Sequence, residues 1–337
     1  MKAVGYTASL PIEDPQSLLD LELPDPEPTG RDLLVQVAAV SVNPVDTKMR
    51  MRSTPPPGES AVLGWDATGT VVACGPEATL FQPGDAVWYA GSIARPGTDA
   101  ELHLVDERIV GSKPRTLDFV HAAALPLTSI TAWELLFDRL GVAAGKRHSG
   151  DSLLIIGAAG GVGSILTQLA ARLTGLQVIG TASRPETRDW VQSLGAHAVI
   201  DHGKPLSEEL ARIGTPQVSH VASLTRTDLH YSEIVKSLAP QGRLALIDDP
   251  GPLDVRLLKQ KSLSLHWELM FTRSLFTTPD MIAQHRLLSE VAELVDAGVL
   301  RSTLGEHYGT INATNLRRAH ATIESGRACG KIVLEGF

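Results

Sequence analysis

Ser152-Leu-Leu-Ile-Ile-Gly-Ala-Ala-Gly-Gly-Val-Gly-Ser164 is the stretch on which the reading of this chain turns. It opens with an apolar run, Ser152 to Ile156, and passes through small residues, Gly157 to Gly161. Val162, Ile165, Leu166, Leu169, Ala170 and Leu173 then recur at three- and four-residue spacing. That pattern predicts a strand, a tight turn and an amphipathic helix. A turn without side chains lets a diphosphate approach the backbone, and the helix N-terminus behind it offers free N–H groups and partial positive charge. The dinucleotide fingerprint G-x-G-x-x-G reads here as Ala158-x-Gly160-x-x-Gly163, with Gly157 just before it. A glycine pattern alone is weak evidence, but this one has the strand before it and the helix after it that the motif requires.

Downstream, strand and helix patterns alternate as far as about residue 270. Strands are expected at Leu153–Ile156, Gln177–Thr181, Ala198–Ile200, Val218–Ala222, Arg243–Ile247 and Leu263–Trp267. Helices are expected at Gly163–Leu173, Glu186–Leu194, Ser207–Ile213 and Ser232–Leu238. Such alternation means a parallel sheet covered by helices on both faces, and six strands match the doubly wound dinucleotide fold.

Upstream, the chain reads as β-rich. Leu33–Val42 is apolar and β-branched, Leu63–Cys74 reads as a strand pair with a glycine at Gly69, and Ala100–Val105 alternates. Pro83-Gly84-Asp85 punctuates a turn feeding a strand. Short strands between Pro/Gly turns imply a barrel-like module. Asp118–Leu125 is expected as a short helix stopped by Pro126, Ser129–Leu140 as a second helix, and Leu140–Gly150 as a surface loop. The tail carries helices at Met281–Ala297 and Asn315–Ser325 and a strand at Gly330–Leu334. That strand has no place in a completed six-stranded sheet, so it is expected to rejoin the N-terminal module. The expected domains are therefore 1–125 with 272–337, and 126–271.

Composition bounds the partners. The net charge of −8 and the lack of a Lys/Arg cluster argue against a nucleic-acid face. No apolar run approaches the ~18 residues of a membrane span. Met1-Lys2-Ala3-Val4 runs straight into strand-like sequence, so no signal peptide is expected. Two cysteines far apart, Cys74 and Cys329, suit a reducing cytoplasm better than a disulfide framework.

Local motifs narrow the reading. They are Val42-Asn-Pro-Val-Asp-Thr47, Gly64-Trp-Asp-Ala-Thr-Gly-Thr-Val71, Gln82-Pro-Gly-Asp-Ala-Val87, Leu125-Pro-Leu-Thr-Ser-Ile-Thr-Ala132, Ala158-Ala-Gly-Gly-Val-Gly163 and Gly330-Lys-Ile-Val-Leu334. In this order they span essentially the whole chain, which resembles the medium-chain dehydrogenase/reductase superfamily, in its zinc-free quinone oxidoreductase branch. The resemblance implies an α/β fold: a GroES-like β-rich catalytic domain plus a Rossmann doubly wound parallel six-stranded sheet. It implies that Ala158, Ala159, Gly160, Gly161, Val162 and Gly163 carry a diphosphate. Asn43, Thr128 and Lys331 are expected at the cofactor, with Asn43 and Thr128 near the nicotinamide and ribose. Thr128 has an alternative as a helix cap.

The zinc enzymes of the superfamily use a Cys/His/Cys site. The matching positions here hold Asn43, Trp65 and Leu125, and zinc needs thiolate, imidazole or carboxylate ligands. Between Trp88 and Ala100, where a structural zinc lobe would sit, there is no cysteine. The eleven histidines are scattered; His103, His230 and His266 read as structural. No metal is expected. Without a Lewis acid, unactivated alcohols are poor substrates. Quinones and α,β-unsaturated carbonyls accept hydride readily, because conjugation spreads the developing charge. The resemblance therefore implies an NADPH-dependent quinone or enone reductase, whose site residues are Asn43, Lys48, Trp65 and Thr128, with Trp88 or Tyr89 nearby. Lys48 stands where many relatives carry tyrosine; it reads as an enolate stabiliser, or as a solvated lysine or a phosphate contact in a basic strip with Arg50 and Arg52. Asp46 reads as orienting a group or as stabilising a turn, and Trp65 as substrate platform or core. An enoyl-thioester reductase, or a nucleotide-binding sensor with little catalysis, are the alternatives.

Two further expectations come from single segments. Leu263–Met270 carries the last strand of the doubly wound sheet, an apolar edge that a second copy would cover, so a homodimer is expected. NAD-specific versions place an acidic residue about 20 positions beyond the glycine turn. Here no Asp or Glu occurs from Val178 through Pro185, and Ser183 and Arg184 occupy that loop. A hydroxyl and a permanently charged planar guanidinium suit a 2′-phosphate, so NADPH is the expected cofactor.

Overall fold

A computed structural model describes residues 1–145 and 150–337. Of the expected Leu140–Gly150 surface loop, residues 146–149 lie outside the described residues; Leu140 itself is fully buried. The chain divides into two compact units, Met1–Ile130 with Phe271–Phe337, and Thr131–Met270.

The first unit begins with strands β1 (Lys2–Tyr6), β2 (Leu19–Glu22) and β3 (Asp32–Val42), helix α1 (Pro44–Arg52), and strands β4 (Ala61–Val62), β5 (Ala67–Cys74), β6 (Ala86–Tyr89), β7 (Leu102–Asp106) and β8 (Val110–Ser112). Helices α2 (Phe119–Ala123) and α3 (Pro126–Trp133) follow, the latter running into a π-helical turn at Glu134–Arg139. The second unit then alternates β9 (Ser152–Ile156), α4 (Gly161–Leu173), β10 (Gln177–Thr181), α5 (Pro185–Ser193), β11 (Ala198–Ile200), α6 (Leu206–Arg212), β12 (Val218–Ser223), α7 (Thr227–Ser237), β13 (Leu238–Leu246) and β14 (Ser264–Trp267). The chain re-enters the first unit through α8 (Thr272–Leu275), α9 (Ala283–Asp296), β15 (Leu304–His307), α10 (Ala313–Glu324) and β16 (Lys331–Glu335).

The second unit is a six-stranded sheet in the order β11-β10-β9-β12-β13-β14, parallel throughout. The first strand in sequence, β9, is flanked on both sides, and all five of its residues are buried. This is why Ser152–Ile156 is a continuous apolar run rather than an alternating one. Leu154, Ile156, Ile179, Val221 and Leu244 form the centre of its core.

The first unit holds a three-stranded sheet, β2-β1-β4, and a larger one in the order β15-β16-β3-β5-β6-β8, with β7 also paired to β3. β16 is antiparallel to β3, pairing Ile332 with Val42 and Leu334 with Val40. That pairing brings Lys331 next to Asn43, which caps the N-terminus of α1.

Three local expectations are corrected. Leu63–Cys74 is not a strand pair: Gly69 lies inside β5, and a Cβ there would sit 2.1 Å from the Gln36 carbonyl oxygen, so the glycine permits close strand approach rather than a turn. Pro126 does not merely stop a helix; it is the first residue of α3, a position that wastes no N–H. Arg50 is no part of a surface strip, being fully buried, with its guanidinium donating to the Leu10 carbonyl and to Glu324. The helical stretch Phe119–Arg139 is 21 residues long and apolar enough by composition to cross a membrane, but 78% of its apolar window is buried within the protein, as in a core helix.

Candidate functional site

In the second unit the glycine turn follows β9. Gly157 has φ +83°, and its N–H donates to Thr181 Oγ1 at 3.1 Å, tying the turn to the end of β10. A left-handed backbone with Thr225 beside it leaves no place for a side chain at Gly157. A Cβ on Gly163 would lie 2.4 Å from the Gly157 carbonyl oxygen, so that glycine lets the helix pack against the turn. Gly160 differs: the nearest atom to a Cβ built there is 3.6 Å away, and its φ is −74°. The fold would accept alanine at Gly160. The space beside it is where a diphosphate would approach the first N–H groups of α4. Ala158 is fully buried, whereas Ala159, Gly161 and Val162 are half-buried around that opening.

At the end of β10, Ser183 is exposed and Arg184 is half-buried at the N-cap of α5. Arg184 Nε lies 3.1 Å from Glu186, whose side chain is mostly exposed. Arg188 is spent on the backbone, donating to the Ala182 and Val199 carbonyls. The sequence pattern did not reveal the Glu186 contact, since nothing in it says that the first acid of α5 folds back on the loop.

In the first unit the expected site residues meet in a buried polar cluster. Lys331 donates to the Val42 carbonyl at 3.1 Å, to Asp66 Oδ2 at 3.0 Å and to Asn43 Oδ1. An ammonium has three donors, and all three are used. Asp66 also accepts from Ser41 Oγ at 2.8 Å, from Asn43 Nδ2 at 3.1 Å and from the Leu127 N–H at 2.9 Å. Burial pushes the Asp66 carboxyl up, while Lys331 and the other donors pull it back. Asn43 Nδ2 donates in addition to the Ser41 carbonyl, so the amide is held on both ends within the unit. Lys331 and Asn43, expected at the cofactor, are thus committed to each other and to Asp66. The importance of Asp66 was missed; its one signal is an acid in the apolar stretch Leu63–Val72.

The remaining expected residues fall around this cluster. Asp46 is 1% exposed and accepts the Asn43 N–H at 2.6 Å, which is the turn-stabilising reading. Thr128 Oγ1 donates to the Leu125 carbonyl at 3.0 Å, a bond local to the start of α3. Lys48 is half-buried on α1. Trp65 is core: its indole N–H donates to the Ser92 carbonyl at 3.1 Å and its ring meets Phe271 edge-on. Trp88 and Tyr89 are fully buried. Tyr89 stacks on His103 and donates to His103 Nδ1, while His103 Nε2 donates to the Pro96 carbonyl; burial lowers this imidazole to about 4, so it stays neutral and structural.

Comparison with known proteins gives the family. The Alcohol dehydrogenase GroES-like domain matches residues 29–114 and the Zinc-binding dehydrogenase model matches 194–334. The zinc-type alcohol dehydrogenase-like protein of Staphylococcus aureus (strain COL) is 40% identical over 337 residues, 99% of either chain. The chain belongs to the medium-chain dehydrogenase/reductase superfamily. Within this superfamily, a putative zinc-dependent alcohol dehydrogenase from Rhizobium etli has a crystal structure with TM-score 0.96 and 60% identity, covering 100% of this chain and 98% of its own. The Pseudomonas syringae quinone oxidoreductase has TM-score 0.84 and 25% identity, covering 99% of both chains. The medium-chain superfamily makes this chain an oxidoreductase on a nucleotide-binding fold with a GroES-like domain.

The names of several superfamily relatives invoke zinc, and the donor set here does not fit it. Among the described residues no group of three or more His, Cys, Asp or Glu side chains is placed to hold a metal ion. At the three matching positions Asn43 is bonded at both ends of its amide, Trp65 offers only a committed N–H, and Leu125 has no donor atom.

Proposed function

We propose that this chain is an NADPH-dependent reductase that delivers hydride to a quinone or an α,β-unsaturated carbonyl without zinc. The observation that carries the reading is the space beside Gly160, which the fold does not need and a diphosphate would fill. When bound, NADPH supplies the hydride. The chain's own residues bind and orient. Gly161 and Val162, in the first turn of α4, present backbone N–H groups, Gly157 and Gly163 keep the turn close to the helix, and Ser183 with Arg184 offers donors to a 2′-phosphate. The Arg184–Glu186 contact is exposed, and such pairs are worth only about 0–1 kcal/mol, so a phosphate displaces Glu186 at little cost. Lys48 is the group suited to hold the acceptor oxygen as negative charge develops there. Conjugated acceptors need no Lewis acid, which agrees with the donor set at Asn43, Trp65 and Leu125. The likeness to a quinone oxidoreductase supports the same acceptor class.

The test is NADPH and NADH oxidation against panels of quinones, 2-alkenals and enoyl thioesters, with metal analysis of the purified protein. Turnover of quinones or alkenals with NADPH, unaffected by chelators, is the expected result. Turnover confined to enoyl thioesters moves the assignment to that class, and zinc at one equivalent per chain with alcohol oxidation overturns it.

The reading includes a homodimer. β14 is the terminal strand of its sheet; its last residue Trp267 and Leu269 just beyond it are 54% and 50% exposed. Unpaired edges of this kind invite pairing, and a two-fold axis closes the contact after two copies. A monomeric mass by light scattering at micromolar concentration counts against it.

A further inference from the structure

Three acidic side chains and one lysine are buried in the first unit near the start of α1: Asp46, Asp66 and Asp99, at 1%, 0% and 3% exposure, with Lys331 at 3%. Their partners are unequally shared. Asp66 takes four donors, one of them the ammonium. Asp46 takes one, the Asn43 N–H, while its Oδ1 is buried with no hydrogen-bond partner. Asp99 is buried in the field of Asp46. Thr98 Oγ1, fully buried beside it, also lacks a partner. Gly64 makes room for this group: a Cβ there would sit 2.6 Å from Asp99 Oδ1 and 2.7 Å from Thr98 Oγ1. One ammonium cannot balance three buried carboxylates, and unpaired buried charge is costly enough that the group takes up a proton instead. No three ligating groups converge to hold a metal ion here, so protons are the remaining counter-charge.

We propose that Asp46 is a buried proton-holding group and a positioning residue whose grip on the Asn43 turn, and so the placement of Lys48 on α1, depends on protonation. Burial pushes Asp99 well above the usual carboxylate range, and Asp46 adds to this. Burial raises Asp46 to about 7, against the pull of the Asn43 N–H and Lys331 and with the push of Asp66. Above that pH the Asp46–Asn43 contact is charge-assisted; below it the contact is neutral and about half as strong. Two ion-forming groups of α10 bear on Arg50 of α1. Glu324 pairs with Arg50, and His320, lowered by burial to about 3, stays neutral in the field of the same guanidinium.

The activity part of this proposal rests on the reductase reading; the protonation part does not. Infrared difference spectra of the whole protein between pH 8 and pH 6 test the latter. A protonated-carboxyl stretching band that grows on acidification and is absent from Asp46→Asn is expected. No growing band in the wild type, or one that survives in Asp46→Asn, overturns the proposal whether or not the enzyme turns over. For activity, kcat/KM with the best acceptor is expected to rise about three- to tenfold from pH 6 to pH 8. Asp46→Asn, which keeps an acceptor for the Asn43 N–H, should stay at the pH 6 value throughout, with the change in kcat rather than in the KM for NADPH. A wild-type profile retained by Asp46→Asn overturns the positioning role. The infrared band together with inactivity on every acceptor sinks the reductase reading alone.

Discussion

In the second unit the candidate site is a run of small residues contiguous in sequence, Gly157 to Gly163. In the first it is a set of side chains drawn from positions 43, 46, 66 and 331. The turn works by what it omits: Gly160 leaves space that no neighbour needs. The cluster works by what it saturates: all three Lys331 donors and both ends of the Asn43 amide are used. An open backbone site tolerates change in stability terms and is sensitive in binding, whereas a saturated buried network has the opposite character.

The largest difference is expected when Lys331 is removed. Lys331→Met leaves Asp66 buried beside an unpartnered Asn43 oxygen, and breaking a buried pair costs about 3–5 kcal/mol. Urea unfolding measures this; a loss below about 1 kcal/mol would mean that the cluster is not a saturated one.

Next comes the pH dependence of folding. A carboxyl whose folded value is raised from 3.8 to about 7 holds a proton in the native state that the unfolded chain has released. Stability is therefore full below about pH 4, falls as pH rises to about 7, and is level above; three units amount to at most on the order of 4 kcal/mol. Asp46→Asn should remove this component, read from unfolding curves between pH 5 and 8. An unchanged slope in the variant breaks the assignment.

In the second unit the effects should appear in binding. Arg184→Ala should cost on the order of 10- to 150-fold in NADPH affinity, the equivalent of about 1.5–3 kcal/mol for a hydrogen bond to a charged group, and should leave NADH nearly untouched. Titration of both cofactors checks it; equal losses would mean that the loop does not read the phosphate. The smallest change in stability is expected for Gly160→Ala, within about 1 kcal/mol at a helix N-cap. The same variant should still lose dinucleotide affinity at least tenfold, about 1.4 kcal/mol, because its methyl occupies the approach. Destabilisation without loss of binding would reverse the roles given to the two regions.

How far each region could be read in advance follows from the same contrast. Strands at Gln177–Thr181 and Ala198–Ile200 stand where apolar runs and turn residues put them, since both signals are local. Arg50 read as a surface residue because its neighbours Lys48 and Arg52 are charged. Its burial depends on Leu10 and on Glu324, which lies 274 residues away. Trp65 was ambiguous for the same reason: Ser92 and Phe271 decide it.

Sequence by itself determined the doubly wound sheet, the glycine turn, the acid-free β10 loop and the lack of thiolate or imidazole at positions 43, 65 and 125. Each rests on periodicity, on small residues or on atom types, which need no knowledge of distant contacts. Only the tertiary structure decided that Asp66 and Lys331 pair, that Asn43 is consumed by that pair, and that Asp46 is left short of donors. These depend on β16 lying beside β3 and on how many donors reach each buried oxygen, and a charge in a sequence carries no record of its desolvation or of its partners.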